Sequence, residues 1–180
     1  MKKSILVVVM ALISAATFGQ KYFTKTGHVS FFSDAALEDI EAHNYQTTAL
    51  LNSSTGAMAF KVPIKGFEFK KALMQEHFNE NYMDSDSFPE ATFDGTIEDL
   101  KKVDFTKAGT YDVTVKGKLT IHGVTKEVSV PGKIVVDPDK KVTTNATFKV
   151  ALKDYNIKND KVQNISNDIE IRVNVEMPKK

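Results

Sequence analysis

Apolar and polar side chains alternate along residues 110–136, and the phase of the alternation changes once, at His122-Gly123. Before that point the apolar side chains stand at odd positions, up to Ile121, and after it they stand at even positions from Val124 onwards. A two-residue turn requires this change, because it makes Ile121 and Val124 cross-strand partners on one face. Glycine adopts a positive φ readily and histidine tolerates one. The pattern therefore predicts a β-hairpin with one apolar face.

Six further segments show the same two-residue period, more weakly in the first two. The segments are residues 22–32, 40–51, 56–64, 91–97, 145–152 and 168–177. With the hairpin they make eight strands, mostly antiparallel and joined by turn-rich segments. Eight such strands can close into a barrel, which removes exposed strand edges. The interior of such a barrel is either filled by side chains or holds one small ligand.

Two insertions interrupt this series of strands. Residues 67–78 have apolar side chains at helical spacing, with Phe69 four positions before Leu73. This spacing predicts a helix between the third and fourth strands, followed by a loop over residues 79–88. Residues 153–164 predict a short helical or loop insertion before the last strand. A helix that covers one opening, together with twelve phenylalanines and no tryptophan, favours a cavity.

The N-terminal residues 1–19 have the layout of a secretory signal peptide. Two lysines precede an apolar run over residues 5–13, and small residues follow it. The run is too short to span a membrane as a helix. We expect cleavage after Gly19, with Ala16 as the alternative, and one soluble, exported domain over residues 20–180.

Charge and cysteine content exclude several classes of function. The chain has 24 basic and 23 acidic residues and a net charge of +1. This balance gives no electrostatic reason to expect a nucleic-acid or anionic-membrane partner. The chain has no cysteine, so disulfides and thiolate chemistry are excluded.

No sequence motif for catalysis or metal binding stands out. The four histidines, His28, His43, His77 and His122, have no metal-ligand spacing, and His122 is interpreted as a turn residue. The chain has no nucleophile-elbow motif and no glycine-rich phosphate loop, and its carboxylates mostly stand at outward strand positions. We therefore expect a protein that is not an enzyme and has no metal site.

Two residues depart from the hairpin pattern. Lys126 has the inward phase opposite Leu119. In one interpretation, the aliphatic stem of Lys126 lies on apolar surface near the barrel end and its ammonium group reaches water. In the other, the ammonium group contacts the head of a ligand at the mouth of a pocket. Pro131 stands inside a predicted strand, which predicts a bulge or a bend there.

Three segments resemble one known family. Residues 118–126, which read Lys-Leu-Thr-Ile-His-Gly-Val-Thr-Lys, resemble the signature hairpin of the polyisoprenoid-binding YceI-like proteins. Residues 78–93 are similar to that family's helix end, loop and following strand, and residues 148–157 to its exit from the penultimate strand. The resemblance implies an all-β, lipocalin-like, eight-stranded antiparallel barrel in the periplasm. It also implies an elongated apolar pocket for a long isoprenoid or other lipid chain.

The resemblance makes the inward-facing side chains candidates for contact with that lipid chain. They are Phe60, Val62, Phe78, Phe93, Val115, Leu119, Ile121, Val128, Phe148, Val150, Tyr155 and Val173. The expected function is transport or sequestration of a long-chain isoprenoid or other apolar lipid by burial in the barrel. The bound polyisoprenoid or fatty lipid is the expected ligand, and no cofactor is expected.

Other functions remain open from the sequence. The same inward residues would also fill a solid barrel, which would act as an interaction module for a membrane or respiratory partner protein. Chemical processing of the lipid and a general stress-response role are further alternatives. The oligomeric state is open as well, with a homodimer among the options.

Overall fold

The computed structural model describes residues 20–34, 38–159 and 165–180, so the signal-peptide prediction for residues 1–19 lies outside the described residues. Nine β-strands and one α-helix are formed within these ranges. They are β1 (Lys21–Ser33), β2 (Ile40–Asn52), β3 (Ala57–Pro63), β4 (Phe67–Phe69), α1 (Ala72–His77), β5 (Glu90–Ile97), β6 (Gly109–Ile121), β7 (Val124–Val136), β8 (Val142–Ala151) and β9 (Asp168–Met177). No helix in these ranges has both the length and the apolar character needed to cross a bilayer.

Eight of the strands close into an antiparallel barrel. Around the barrel the order is β1, β9, β8, β7, β6, β5, β3 and β2, and β2 pairs again with β1. Closure gives each of these eight strands two neighbours, which limits the free sheet edges that promote aggregation. The predicted eight-stranded antiparallel barrel is confirmed, with the helix between its third and fourth strands and a 3₁₀ turn at Leu152–Tyr155 before the last.

The central hairpin has the predicted register. Ile121 lies opposite Val124, and the turn residues His122 and Gly123 have φ values of 49° and 73°. Two contacts hold the turn: the ring of Phe88 packs beneath Gly123, and Nδ1 of His122 lies 3.2 Å from the carbonyl oxygen of residue 155. The turn therefore ties the hairpin to two other parts of the chain.

The helix prediction was wrong at both ends. Phe67–Phe69 is a strand, because it pairs with β2 on the edge that β3 has left, with Phe69 opposite Ala42. The helix begins at Ala72 and continues into a π-helical turn over Phe78–Tyr82, inside the segment predicted to be a loop. The two-residue spacing of Phe67 and Phe69 fits the face of a strand, and pairing with β2 decided between the two patterns.

The register of β6 and β7 continues through Pro131, which lies opposite Thr114. Of the bulge or bend that was predicted there, the bulge is therefore absent. Lys126 pairs with Leu119 as expected, and it is exposed.

The barrel is packed unevenly along its length. At one end, called the filled end, the inward side chains are almost completely buried. They include Tyr22, Ala49, Leu51, Ile97, Val136, Val142, Val175 and Met177. Towards the other end, called the capped end because α1 covers it, inward apolar side chains remain half-buried, among them Phe60, Val62, Phe93, Val113, Ile121, Phe148, Ile171 and Val173. Side chains that point inward and stay accessible border an unfilled space.

One pair of glycines brings two strands unusually close. Gly95 on β5 lies opposite Gly117 on β6. A Cβ atom on Gly117 would press against the carbonyl oxygen of Asp94 and lie 2.5 Å from Cα of Gly95. We expect Gly117→Ala to lower the free energy of unfolding by about 1–3 kcal/mol, measured by urea denaturation, because backbone atoms cannot move aside cheaply.

Gly109→Ala is the matched control, because a Cβ there would meet its nearest neighbour, the ring of Tyr111, only at 3.6 Å. This control is expected to be neutral or to stabilise by about 0.4–1 kcal/mol. Equal stability of the two variants would contradict the close approach of β5 and β6.

Candidate ligand cavity

A cavity of about 260 Å³ lies inside the barrel between the filled end and α1. It is slightly smaller than the roughly 300–1,000 Å³ of typical small-molecule sites. Its wall is overwhelmingly apolar and takes side chains from every barrel strand and from α1. Ten of the twelve residues predicted from the sequence line it: Phe60, Val62, Phe78, Phe93, Val115, Leu119, Ile121, Phe148, Val150 and Val173.

The remaining two predicted residues, Val128 and Tyr155, do not line the cavity. Both belong to the region where the 3₁₀ turn Leu152–Tyr155 packs against β7. Val128 is half-buried against the core, and Tyr155 is buried. Burial raises the pKa of the Tyr155 phenol, and the neighbouring Asp154 adds to that effect. The structure places these two residues outside the cavity wall, because the two-residue period gives the face of a strand and not its distance from the cavity.

An aromatic cluster lies across the capped end, and the sequence prediction missed most of it. Phe31 from β1 and Phe67 and Phe69 from β4 surround Phe78, the first residue of the π-helical turn. The ring centroid of Phe78 lies 5.3 Å from that of Phe31, 5.6 Å from that of Phe67 and 5.0 Å from that of Phe69. We call these four residues the aromatic cap. Assigning Phe67 and Phe69 to a helix had hidden their role.

The helical segment supplies the rest of the cover. Met74 and His77 of α1, and Asn81 and Met83 from the following turns, line the cavity. The side chain of Asn79 bonds back to the chain, donating from Nδ2 to the carbonyl oxygen of residue 75 at 2.8 Å. The single signal available in the sequence was the amphipathic spacing of this segment, which predicted a covering helix.

Few polar groups reach the cavity wall. Within the described residues they are Ser33, His77, Asn81, Tyr82, Thr92, Lys133, Thr144 and Asn145. None of these is a carboxylic acid, so the paired carboxylates of many hydrolytic sites are absent from this wall. An apolar wall with a few dispersed polar groups suits binding of an apolar chain.

The histidines lie apart from one another, except for one pair on the outer face. Nε2 of His28 lies 3.1 Å from Nδ1 of His43, and Tyr45 stacks on His28 at 4.6 Å. Burial, with a smaller contribution from His43, lowers the pKa of His28. Within the parts of the chain that the structure describes, no group of three or more metal-ligating side chains is assembled.

Solved structures share this fold. A polyisoprenoid binding domain from Saccharophagus degradans superposes with a TM-score of 0.75 at 10% identity, covering 90% of this chain and 99% of that domain. Burkholderia cenocepacia BcnA gives a TM-score of 0.67 at 18% identity, covering 83% of this chain and 95% of BcnA. At these identities the likeness shows the barrel fold alone.

Sequence comparison is more specific. Protein YceI from Escherichia coli is 30% identical over 101 residues, which cover 53% of this chain and 48% of that protein. A second relative, from Enterobacter, is 33% identical over 94 residues, which cover 49% of this chain and 44% of the length of that relative. The chain thus spans about half the length of the curated relatives it matches. The model of the YceI-like domain matches residues 13–177. Since this match takes in almost the whole chain, the protein belongs to the YceI-like family.

Proposed function

We propose that this protein binds one apolar chain, an isoprenoid or another lipid, inside the barrel. The observation that carries the proposal is the apolar cavity lined by Phe60, Phe93, Ile121 and Phe148. A filled barrel would leave no such space. The similar Saccharophagus degradans domain is described as polyisoprenoid binding, which supports the same class of ligand here.

Burial of hydrocarbon accounts for the affinity. A methylene group is about the size of a water molecule, which takes roughly 30 Å³ in the liquid. The cavity of about 260 Å³ therefore holds roughly nine such groups. At about 0.8 kcal/mol for each buried methylene, they contribute about 7 kcal/mol before the costs of association. Micromolar binding requires about 8.2 kcal/mol, so contacts to the polar end or to the part of the chain outside the cavity supply the remainder and the cost of association.

The proposed biological role is transport or sequestration of that lipid in the periplasm. The signal-like pattern of residues 1–19 supports export. The wall without carboxylates supports burial of the ligand over chemical conversion.

Native mass spectrometry of the protein isolated from the periplasmic fraction of its own host tests the proposal. We expect a mature chain that starts near residue 20 and carries a noncovalent mass that organic extraction identifies as a lipid. The same protein, once delipidated, is expected to take up cis-parinaric acid, and the urea-unfolded chain is the control. A cytoplasmic, lipid-free protein that also fails to bind the probe would contradict both the location and the function.

A further inference from the structure

The barrel wall is incompletely paired between β7 and β8. These strands pair only where Gly132–Val136 faces Val142–Ala146, from Gly132 opposite Ala146 to Val136 opposite Val142. Beyond that point β7 stays on β6 down to Val124, and β8 stays on β9 up to Ala151. Residues 124–131 and 147–151 thus face each other without ladder pairs among the described residues. We call this part of the wall the β7–β8 seam.

Pro131 explains why the pairing stops there. The carbonyl oxygen of Thr114, its partner on β6, accepts a hydrogen bond from the backbone of residue 98 on the β5 side. Thr114 and Pro131 are therefore a non-hydrogen-bonded pair. In such a pair the N–H and C=O groups of each residue point away from the partner strand, towards the strand on its other side. The backbone nitrogen of Pro131 therefore faces β8, and it has no hydrogen to donate. The ladder between β7 and β8 therefore lacks its next donor directly beyond Gly132, which is where the pairing ends.

The cavity reaches the point where the strands part. Gly132, Lys133, Asn145 and Ala146 all border it. Lys133 and Asn145 belong to the outward phase of their strands, so the cavity extends into the thickness of the wall at this point. Deeper along the seam, Val130 on β7 and Phe148 on β8 line the cavity as well.

The two ends of the barrel are covered to different extents within the described residues. The side chains of the filled end are packed, whereas at the capped end the aromatic cap and α1 lie across the cavity with Phe69 and Phe78 only half-buried. The far end of the seam is covered by the turn Leu152–Tyr155, which His122 holds against the hairpin. The middle of the seam is bordered by the exposed residues Ser129 and Lys149.

We propose that the β7–β8 seam is the lateral port of the cavity, through which the apolar chain slides in while its polar end stays in water. This inference rests on the proposed function. It specifies the ligand as a single-chain amphiphile, because the cavity holds roughly nine methylene-sized groups and a longer chain must emerge from the port. Passage requires the two strands to separate slightly, which an unpaired segment permits without breaking backbone hydrogen bonds.

A cross-linking experiment tests the port, and the absence of native cysteine makes each engineered pair unique. Ser129→Cys with Lys149→Cys places one exposed thiol on each side of the seam. Bridging the two thiols with the shortest bis-maleimide that reacts at both prevents the strands from separating. Stopped-flow fluorescence then measures uptake and release of cis-parinaric acid. We expect both rates to fall at least tenfold, with the equilibrium affinity unchanged because both rates slow together.

Two bridged controls locate the effect. Val135→Cys with Thr143→Cys joins the same strands where they already pair, outside the cavity lining. Lys65→Cys with Asp86→Cys pins the capped end, where these side chains form an ion pair at 2.5 Å. Both are expected to leave the rates within twofold of the unbridged protein. Unchanged rates in the seam-bridged protein, or slowing by the Lys65–Asp86 bridge instead, would overturn the port.

The equilibrium affinity of the unbridged variants separates the two proposals. If they bind cis-parinaric acid as the native protein does, the rates alone decide the port. If neither they nor the native protein bind it, the proposed function fails, and the port falls with it.

Discussion

Val173→Trp is expected to weaken binding of a long-chain lipid by roughly a hundredfold or more, which corresponds to about 2.7 kcal/mol. Val173 lies in the middle of β9, opposite Ala146 on β8 and Val29 on β1, and its side chain lines the cavity. An indole there occupies volume that the ligand needs. Fluorescence titration with cis-parinaric acid measures the loss.

The stability of the same variant distinguishes a hollow barrel from a filled one. Inserting bulk into a well-packed core costs about 1–3 kcal/mol or more. A cavity accepts the indole, so we expect Val173→Trp to keep its free energy of unfolding within about 1 kcal/mol of the native value. Lost binding with retained stability therefore indicates that the ligand and the indole compete for one space.

Asn174→Trp is the matched control, since the next residue on β9 faces outward and is exposed. It is expected to retain native affinity. Ala146→Phe fills the same space from the opposite strand and serves if Val173→Trp does not fold. Native affinity in a folded Val173→Trp or Ala146→Phe variant would show that the lipid does not enter this cavity.

A series of saturated fatty acids is expected to bind about fourfold more tightly for each added methylene, and then to level off. The slope follows from about 0.8 kcal/mol for each buried methylene and tenfold in Kd for each 1.4 kcal/mol. The plateau follows from the cavity volume of about 260 Å³, which roughly nine methylene-sized groups fill. Isothermal titration calorimetry of acids from hexanoic to palmitic measures both.

The Val173→Trp variant also tests the chain-length argument if it retains measurable affinity. With less space available, its plateau should begin at a shorter chain than in the native protein. A native series that stays flat from the shortest acid would show that hydrocarbon burial does not drive binding. A series that keeps its slope to palmitic acid would show that the whole chain is enclosed.

Local patterns were sufficient for much of the fold. The alternation on either side of His122-Gly123 predicted the hairpin, its turn and the pairing of Ile121 with Val124, because strand period and turn chemistry depend on neighbours in sequence. The same period identified all eight barrel strands, and ten of the twelve residues predicted from it line the cavity. Lys126 marks the limit of this reasoning. The period correctly placed it on the same face as Leu119, but its exposure depends on its position near the end of the barrel, which the period does not give.

The errors occurred where residues distant in sequence decided the outcome. Phe67 and Phe69 fit a helix and a strand about equally well by spacing, and pairing with β2 settled the question. Pro131 was expected to make a bulge or a bend within the hairpin, and the register with β6 shows no bulge. Its effect instead lies on the other edge of β7, where it ends the pairing with β8.

By itself, the sequence determined the eight barrel strands, the hairpin register and the apolar character of the inner face, because each follows from side-chain period and turn residues within a short segment. Only the tertiary structure decided that the inner face borders a cavity, that four phenylalanines pack together across one end and that the pairing of β7 with β8 ends at Pro131. These features depend on how far apart opposing side chains and strands stand across the barrel. Such distances are set by closure of all eight strands together.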